Sequence, residues 1–523
     1  MTSMGFSSYE DAIAQFNWDI PERLNMAVQV CDFWAELDPD RIAIIEAHDP
    51  QAQQVITFAT LRRMADTLAY HLRDIGVAKG DRVGVLRSQS AWTAAAHIAI
   101  WKLGAISIPL FKLFGPDALE TRLRDAEAKL VITDPQGHAG LDDTDWQTLV
   151  PERLTLHSEP FDTADTSAQD PAVLIYTSGT TGAPKGALHA HRVLVGHMPG
   201  VVMSHDGLGQ AGDCLWTPAD WAWIGGLFDV LMVGLALGVP VVAARADKFS
   251  APYCSTLLAN VPIKNIFFPP TSLRLLKAAG FSAKGLRSVA SGGEPLGAEM
   301  LGWGQEALGV TINEFYGQTE CNMVASSAAN WFAPKANCIG KAVPGFSLAI
   351  LDEAGCETDY EGNIAVHSSA PSLMLRYWNK PEQTREKFIG DWMLTGDRGI
   401  WEGDYLRFVG REDDVITSSG YRIGPSEIED CLLQHSAVAT VGVIGKPDAT
   451  RTEIVKAYVV LKPDVEPSDA LKQELIDHVK QKLARHSYPR ELEFINALPM
   501  TVTGKVIRKE LKALAIRETE NSQ

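Results

Sequence analysis

The stretch from Thr177 to Gly186, reading Thr177-Ser178-Gly179-Thr180-Thr181-Gly182-Ala183-Pro184-Lys185-Gly186, is the part of the chain best equipped for chemistry. Hydroxyls and glycines crowd together there, so backbone N–H groups and side-chain oxygens can surround a polyphosphate while Lys185 adds a point charge. The loop follows a short β-rich run, AVLIYT, and so stands at a strand end, as a phosphate site would. It is not a Walker A loop. Pro184 stands five residues after Gly179 where that motif needs glycine, and Gly186 follows Lys185 where it needs Ser or Thr.

A loop of this kind needs a frame of strands and helices. Between about residues 56 and 131, TFATLRRMADTLAYHLRDIG and WTAAAHIAIWKLG read as helices, and DRVGVLRS and AISIPLF read as strands. This alternation predicts a layered α/β lobe with parallel strands. Alternating segments from about 339 to 408 predict a β-rich, barrel-like lobe. They end in GREDDVITSSGYRIGP, a polar, glycine-bearing stretch suited to a linker or hinge. Beyond it IEDCLLQ and a segment from about Asp469 to Ala484 read as helices, and VATVGVIGKP, IVKAYVVLKP and ELEFI as strands. The fold expected is α/β, with a large multi-lobed N-terminal domain over residues 1–411 and a small α+β C-terminal domain over 412–523. A chain of 523 residues exceeds what one core can organise.

The formal charge of -18 opposes nucleic acid and anionic membranes as partners. Lys505, Arg508, Lys509 and Lys512 gather near the end, and apart from Lys505 they are spaced as on a solvated helix face. Seven cysteines form no CxxC pair, which argues against a zinc site or a disulfide framework and fits a reducing cytoplasm. The N-terminus lacks the basic and apolar regions of a signal peptide. The longest apolar run, Val230 to Ala244, is too short to span a bilayer and reads as a buried helix followed by a strand.

After the glycine-rich loop come, in order, Ser291-Gly292-Gly293-Glu294-Pro295, then Glu314-Phe315-Tyr316-Gly317-Gln318-Thr319-Glu320, Thr395-Gly396-Asp397, Gly410-Arg411 and Thr503-Gly504-Lys505. Together they resemble, over nearly the whole chain, the adenylate-forming family of acyl-CoA synthetases, nonribosomal peptide synthetase adenylation domains and firefly luciferase. The resemblance implies an ATP-dependent acid:CoA ligase that makes an acyl-adenylate and then an acyl-CoA, with ATP, Mg2+ and CoA as its small-molecule requirements.

It also implies roles for residues. Asp397 would accept hydrogen bonds from both ribose hydroxyls, and Arg411 would reach the same ribose. Gly293, Glu294 and Pro295, with Tyr316, would form the adenine slot, and Glu314, Gln318 and Thr319 belong to the same nucleotide-binding motifs. Glu320 would help hold Mg2+. Arg422 would approach the phosphates, and Lys505 would bring a cation to the carboxylate and α-phosphate. A pivot at Asp413 would then swing Lys505 away and bring Gly420 and Tyr421 to the pantetheine arm, with Arg451 near the CoA nucleotide.

The acid itself is less legible. Acetate-specific members carry tryptophan where this chain has Gly317, so an open pocket for medium-chain, branched or aromatic acids is expected, with Trp223, Leu227 and Met323 as candidate walls. Gly225 falls where a peptide-synthetase module carries its acidic residue, with Asp229 nearby. Two alternatives remain: an enzyme loading a separate acyl carrier protein, and a non-catalytic nucleotide-binding regulator, against which Lys505, Glu320 and Lys185 argue. Monomer and homodimer stay open.

Overall fold

The computed structural model describes residues 5–141, 144–177, 184–246, 248–418, 421–448, 451–483, 487–501 and 505–521. Among these residues the strands form four sheets of nine, seven, five and five strands. The fold is mixed α/β, as the alternation of periodicities predicts.

Two sheets sandwich the main core. In the seven-stranded sheet, parallel strands Arg82–Leu86, Ile106–Pro109 and Leu130–Thr133 lie beside Pro171–Thr177, which turns back antiparallel into Lys185–Ala190. The helix Phe58–Asp74 starts where Thr57 accepts a hydrogen bond from the Thr60 N–H, and it buries Phe58, Leu61, Ala65, Leu68 and Leu72 at helical spacing. The helix Ala91–Lys102 is apolar almost all round because it is buried all round. Its last residue, Lys102, is fully enclosed and is neutralised by Asp32 at 2.6 Å and Asp66 at 2.8 Å.

The nine-stranded sheet carries Ser288–Gly292, Ile312–Gln318 and Asn322–Ser326 side by side. The third sheet is an antiparallel half-barrel of Leu348–Leu351, Gly362–His367, Phe388–Ile389, Trp392–Glu402 and Tyr405–Arg411. The expected helix followed by a strand is present at Val233–Ala236 and Val241–Ala243. The helical segment begins earlier, as a π-helix over Gly225–Met232.

The C-terminal sheet alternates strictly. Val441, Val443, Val455, Ala457 and Val459 face the helices Pro425–Leu433 and Asp469–Lys482, while Ile444 and Tyr458 face Leu511 and Ala515 of Arg508–Asn521. One expectation needs correction. The segment GREDDVITSSGYRIGP is not simply a linker, because Ile416–Ser418 and Tyr421–Ile423 pair antiparallel, with Ile416 opposite Ile423. Both isoleucines are buried in the C-terminal core, and their burial outweighs the polar residues between them.

Candidate active site

One cleft of about 2060 Å³ runs between the N-terminal sheets and the C-terminal unit. Strand register builds its centre. Asp397 and Arg411 are direct cross-strand partners in the half-barrel hairpin, so the acceptor and the cation face the cleft together. The Tyr316 hydroxyl donates to Asp397 Oδ2 at 2.6 Å, Gln318 Nε2 donates to the same oxygen at 3.3 Å, and the Asp397 N–H donates to Thr395 Oγ1 at 3.1 Å. Gln318 Nε2 also donates to the Thr395 carbonyl at 3.0 Å, and Lys387 Nζ donates to that carbonyl at 3.0 Å.

Burial pushes the Asp397 carboxyl upward, while Arg411, the Tyr316 hydrogen bond, Lys387 and Lys505 pull it back. The same burial, with Asp397 alongside, holds the Tyr316 phenol well above its usual range, so it stays a donor. Arg411 Nε pairs with Asp413 Oδ1 at 3.0 Å.

Glu320 lies next to this network, buried, and its Oε1 accepts from the Tyr377 hydroxyl at 2.5 Å. Lys185 Nζ stands 5.4 Å from the centre of the Tyr377 ring, so a carboxylate and a cation flank one phenol at the strand end from which the glycine-rich loop departs. Ser178, Gly179, Thr180, Thr181 and Gly182 of that loop lie outside the described residues, as does Gly420. The structure describes the backbone of Tyr421 and Arg422, but not their side chains.

Gly293 adopts φ +93, and a Cβ there would meet the Trp223 ring at 3.1 Å, so glycine lets the two approach. Glu294 pairs with Arg274 at 3.2 Å, and Arg274 also holds the Pro295 carbonyl at 2.6 Å. Glu314 accepts from the Leu296 N–H at 3.0 Å, and burial pushes its carboxyl up to about 8. Thr319 lines the cleft beside Gln318 and Glu320.

Lys505 enters the cleft from the C-terminal unit. The residue is exposed to solvent, with protein crowded around its ammonium. That enclosure lowers its pKa, Glu294, Asp397 and Glu320 draw it back up, and Arg411 opposes them. Its main chain is fixed to Thr501 by the Thr501 N–H to the Lys505 carbonyl at 2.8 Å and the Lys505 N–H to Thr501 Oγ1 at 3.0 Å. Nearby, Arg508 pairs with Glu429 at 2.7 Å and Asp414 at 3.3 Å, bracing the segment that presents the lysine.

Trp223, Gly225, Asp229, Phe315 and Met323 line a further part of the same cleft. Leu227 does not. It is fully buried in the main core, because Gly225 and Asp229, four residues apart, share the cleft face of their helix, and Leu227, midway between them, points away. The expectation for Gly317 also changes. A bulge between Tyr316 and Gly317 brings the Asn322 carbonyl so close that a Cβ at 317 would overlap it, so this position takes no side chain without a main-chain shift. Arg451 lies away from the cleft, and its N–H donates to Asp448 Oδ1 at 2.8 Å. Tyr377, Lys387 and Arg274 were not identified from the sequence; only strand pairing and side-chain contacts bring them in.

The sequence profile of AMP-binding enzymes matches residues 31–378, and that of the AMP-binding enzyme C-terminal domain matches residues 427–505. The chain belongs to the AMP-binding enzyme family. Acetyl-coenzyme A synthetase of Bacillus subtilis is 32% identical, covering 97% of this chain and 95% of its own, and a mitochondrial acyl-coenzyme A synthetase of Mus musculus is 30% identical over 98% and 94%. Within the family the chain stands with the acyl-CoA synthetases and is an acid–thiol ligase.

Solved structures agree with the fold. An acyl-CoA synthetase of Brucella canis superposes with TM-score 0.74 at 32% identity, over 98% of this chain and 100% of its own. The anthranilate CoA ligase AuaEII, in complex with anthranoyl-AMP, superposes with TM-score 0.86 at 27% identity, over 96% and 99%. Among the described residues no helix is long and apolar enough to cross a membrane.

Proposed function

We propose that the chain joins a carboxylic acid larger than acetate to CoA in two steps within one cleft, with Asp413 as the pivot between a domain ending at 411 and one beginning at 412. The observation that carries this reading is the convergence of Lys505, from the C-terminal unit, with Asp397, Arg411 and Glu320 of the N-terminal sheets.

In the first step a carboxylate oxygen attacks the α-phosphorus of ATP, the bond to the bridging oxygen breaks, and pyrophosphate leaves with its electron pair. Lys505 offsets the negative charge that builds on the attacking and phosphoryl oxygens. Asp397 and Arg411 orient the ribose, and Gly293 to Pro295 with Tyr316 border the adenine. Glu320 is the residue suited to hold Mg2+, a hard cation usually bound by one or two carboxylates plus phosphate oxygens. Among the described residues no cluster of three or more acidic, His or Cys side chains offers it an all-protein cage. In the second step the CoA sulfur attacks the acyl carbon and AMP departs, while the thiol proton passes to solvent or phosphate. Gly420 and Tyr421 flank the thiol's path in this reading, Arg422 serves the phosphates, and Arg451 the CoA nucleotide.

An acid larger than acetate is favoured by the apolar walls Trp223, Phe315 and Met323. The test is pyrophosphate release and thioester formation over acetate, butyrate, octanoate and benzoate, with and without CoA. Thioester with butyrate, octanoate or benzoate preferred over acetate is expected. A preference for acetate over all three would overturn the substrate reading, and release without thioester would point to a carrier protein as acceptor.

A further inference from the structure

Asp229 sits in the acyl part of the cleft with a carboxyl the proposed reaction does not use. It is only 3% exposed, it lines the cavity, and it lies on the π-helix Gly225–Met232, a geometry that concentrates at functional sites. Its Oδ1 accepts from Asn322 Nδ2 at 2.8 Å, and among the described residues no donor reaches its other oxygen. Burial pushes the carboxyl up to about 7, and the Asn322 hydrogen bond only partly restores it. Asn322 is the strand partner of Gln318, which bonds Asp397, so Asp229 is tied to the nucleotide side of the site through two residues.

A buried carboxyl holding one hydrogen bond is costly, and an apolar acyl chain packed against it would seal that cost in. A chain that brings its own donor removes the cost. The surrounding walls, Trp223, Met323 and Phe315, bring no hydrogen-bond donor to Asp229, and they line the same cavity.

We infer that the acid taken by this enzyme bears, besides its carboxylate, a hydroxyl or ammonium group that donates to Asp229, which makes Asp229 a specificity-determining residue. The inference rests on the acid:CoA ligase reading and narrows its substrate class to polar-substituted acids. A site built around a buried acceptor rejects analogues lacking the donor more strongly than an apolar pocket rejects an extra methylene.

The experiment measures kcat/KM for CoA-dependent pyrophosphate release on matched acids. These are 3-hydroxybutyrate, 3-aminobutyrate and 3-methylbutyrate, then 4-hydroxybutyrate, 4-aminobutyrate and pentanoate, and finally hydroxybenzoates and aminobenzoates against benzoate. In wild type at least one donor-bearing acid is expected to exceed its apolar match by at least about tenfold, the hydroxyl and amino arms telling the two donors apart. Asp229→Asn, which keeps the shape, should shrink that ratio, and Asp229→Leu should invert it, with melting curves reporting whether each variant folds. If Asp229→Leu does not fold, the Asp229→Asn ratio decides. Apolar acids winning every pair in wild type, or a ratio unchanged in the variants, would overturn the inference while leaving the ligase reading intact. If no acid supports thioester formation, both fall together.

Discussion

The two halves of the site are held in opposite ways. Asp397 is fixed by a phenol, an amide and a threonine hydroxyl on paired strands, and its cross-strand partner Arg411 is fixed by the same hairpin. Lys505 is tied locally to Thr501 and faces the other half across the cleft through the fields of Glu294, Asp397, Glu320 and Arg411. The first half is organised before ligand arrives, and in the proposed reaction the second is delivered by docking of the C-terminal unit. A two-step reaction that needs a cation only in its first step suits such a division, because a delivered group can be withdrawn.

The sharpest test removes the delivered group. Lys505→Ala is expected to lower acyl-adenylate formation by on the order of 10²- to 10³-fold while supplied acyl-adenylate is still converted to thioester. Rapid-quench measurement of each half-reaction reads this, and equal loss in both would erase the distinction between the halves.

A smaller effect is expected from loosening the organised half. Tyr316→Phe keeps the ring but takes a donor from buried Asp397, a loss of about 1–3 kcal/mol for an unsatisfied group, so calorimetric affinity for ATP should fall accordingly. Unchanged affinity would mean that Gln318 holds the carboxylate without help.

The smallest effect lies at the docking surface. Burial pushes the Asp430 carboxyl up to about 7, with Arg274 opposing and Glu429, Glu299 and Glu427 adding to the rise. The docked form therefore binds a proton more tightly than a released Asp430, whose pKa is about 4. Docking free energy is complete below that value and is lost as pH rises toward about 7. A distance probe spanning the two units should report weaker docking at pH 7.5 than at pH 5, and Asp430→Asn should flatten the curve. A slope that survives the substitution would place the titrating group elsewhere.

Much of this was legible in the sequence because motif side chains carry their chemistry with them. Tyr316 and Glu320, Asp397 and Arg411, and Lys505 come from three separate stretches of the chain and line one cleft. The helices Phe58–Asp74 and Ala91–Lys102 and the C-terminal strands follow their periodicities. The Ile416 hairpin was hidden by its polar centre, since two short strands offer too few alternating positions to outweigh it. Leu227 was misplaced because an apolar side chain near the pocket fits a wall and a core equally well, and the cleft face of its helix is set by Gly225 and Asp229. Lys387 and Tyr377 reach the site only through tertiary pairing, which no local pattern encodes.

The bulge at Gly317 also bears on how this enzyme changes over generations. A position that admits no Cβ is closed to single-step mutation, so selection for a different acid cannot act there while the Asn322 carbonyl keeps its place. The open routes are the cleft-facing residues that already carry side chains, above all Asp229 and Met323, where one codon change alters polarity or volume without moving the main chain. Shifts in diet among descendants of this chain would therefore be written on those side chains and not at the bulge beside Tyr316.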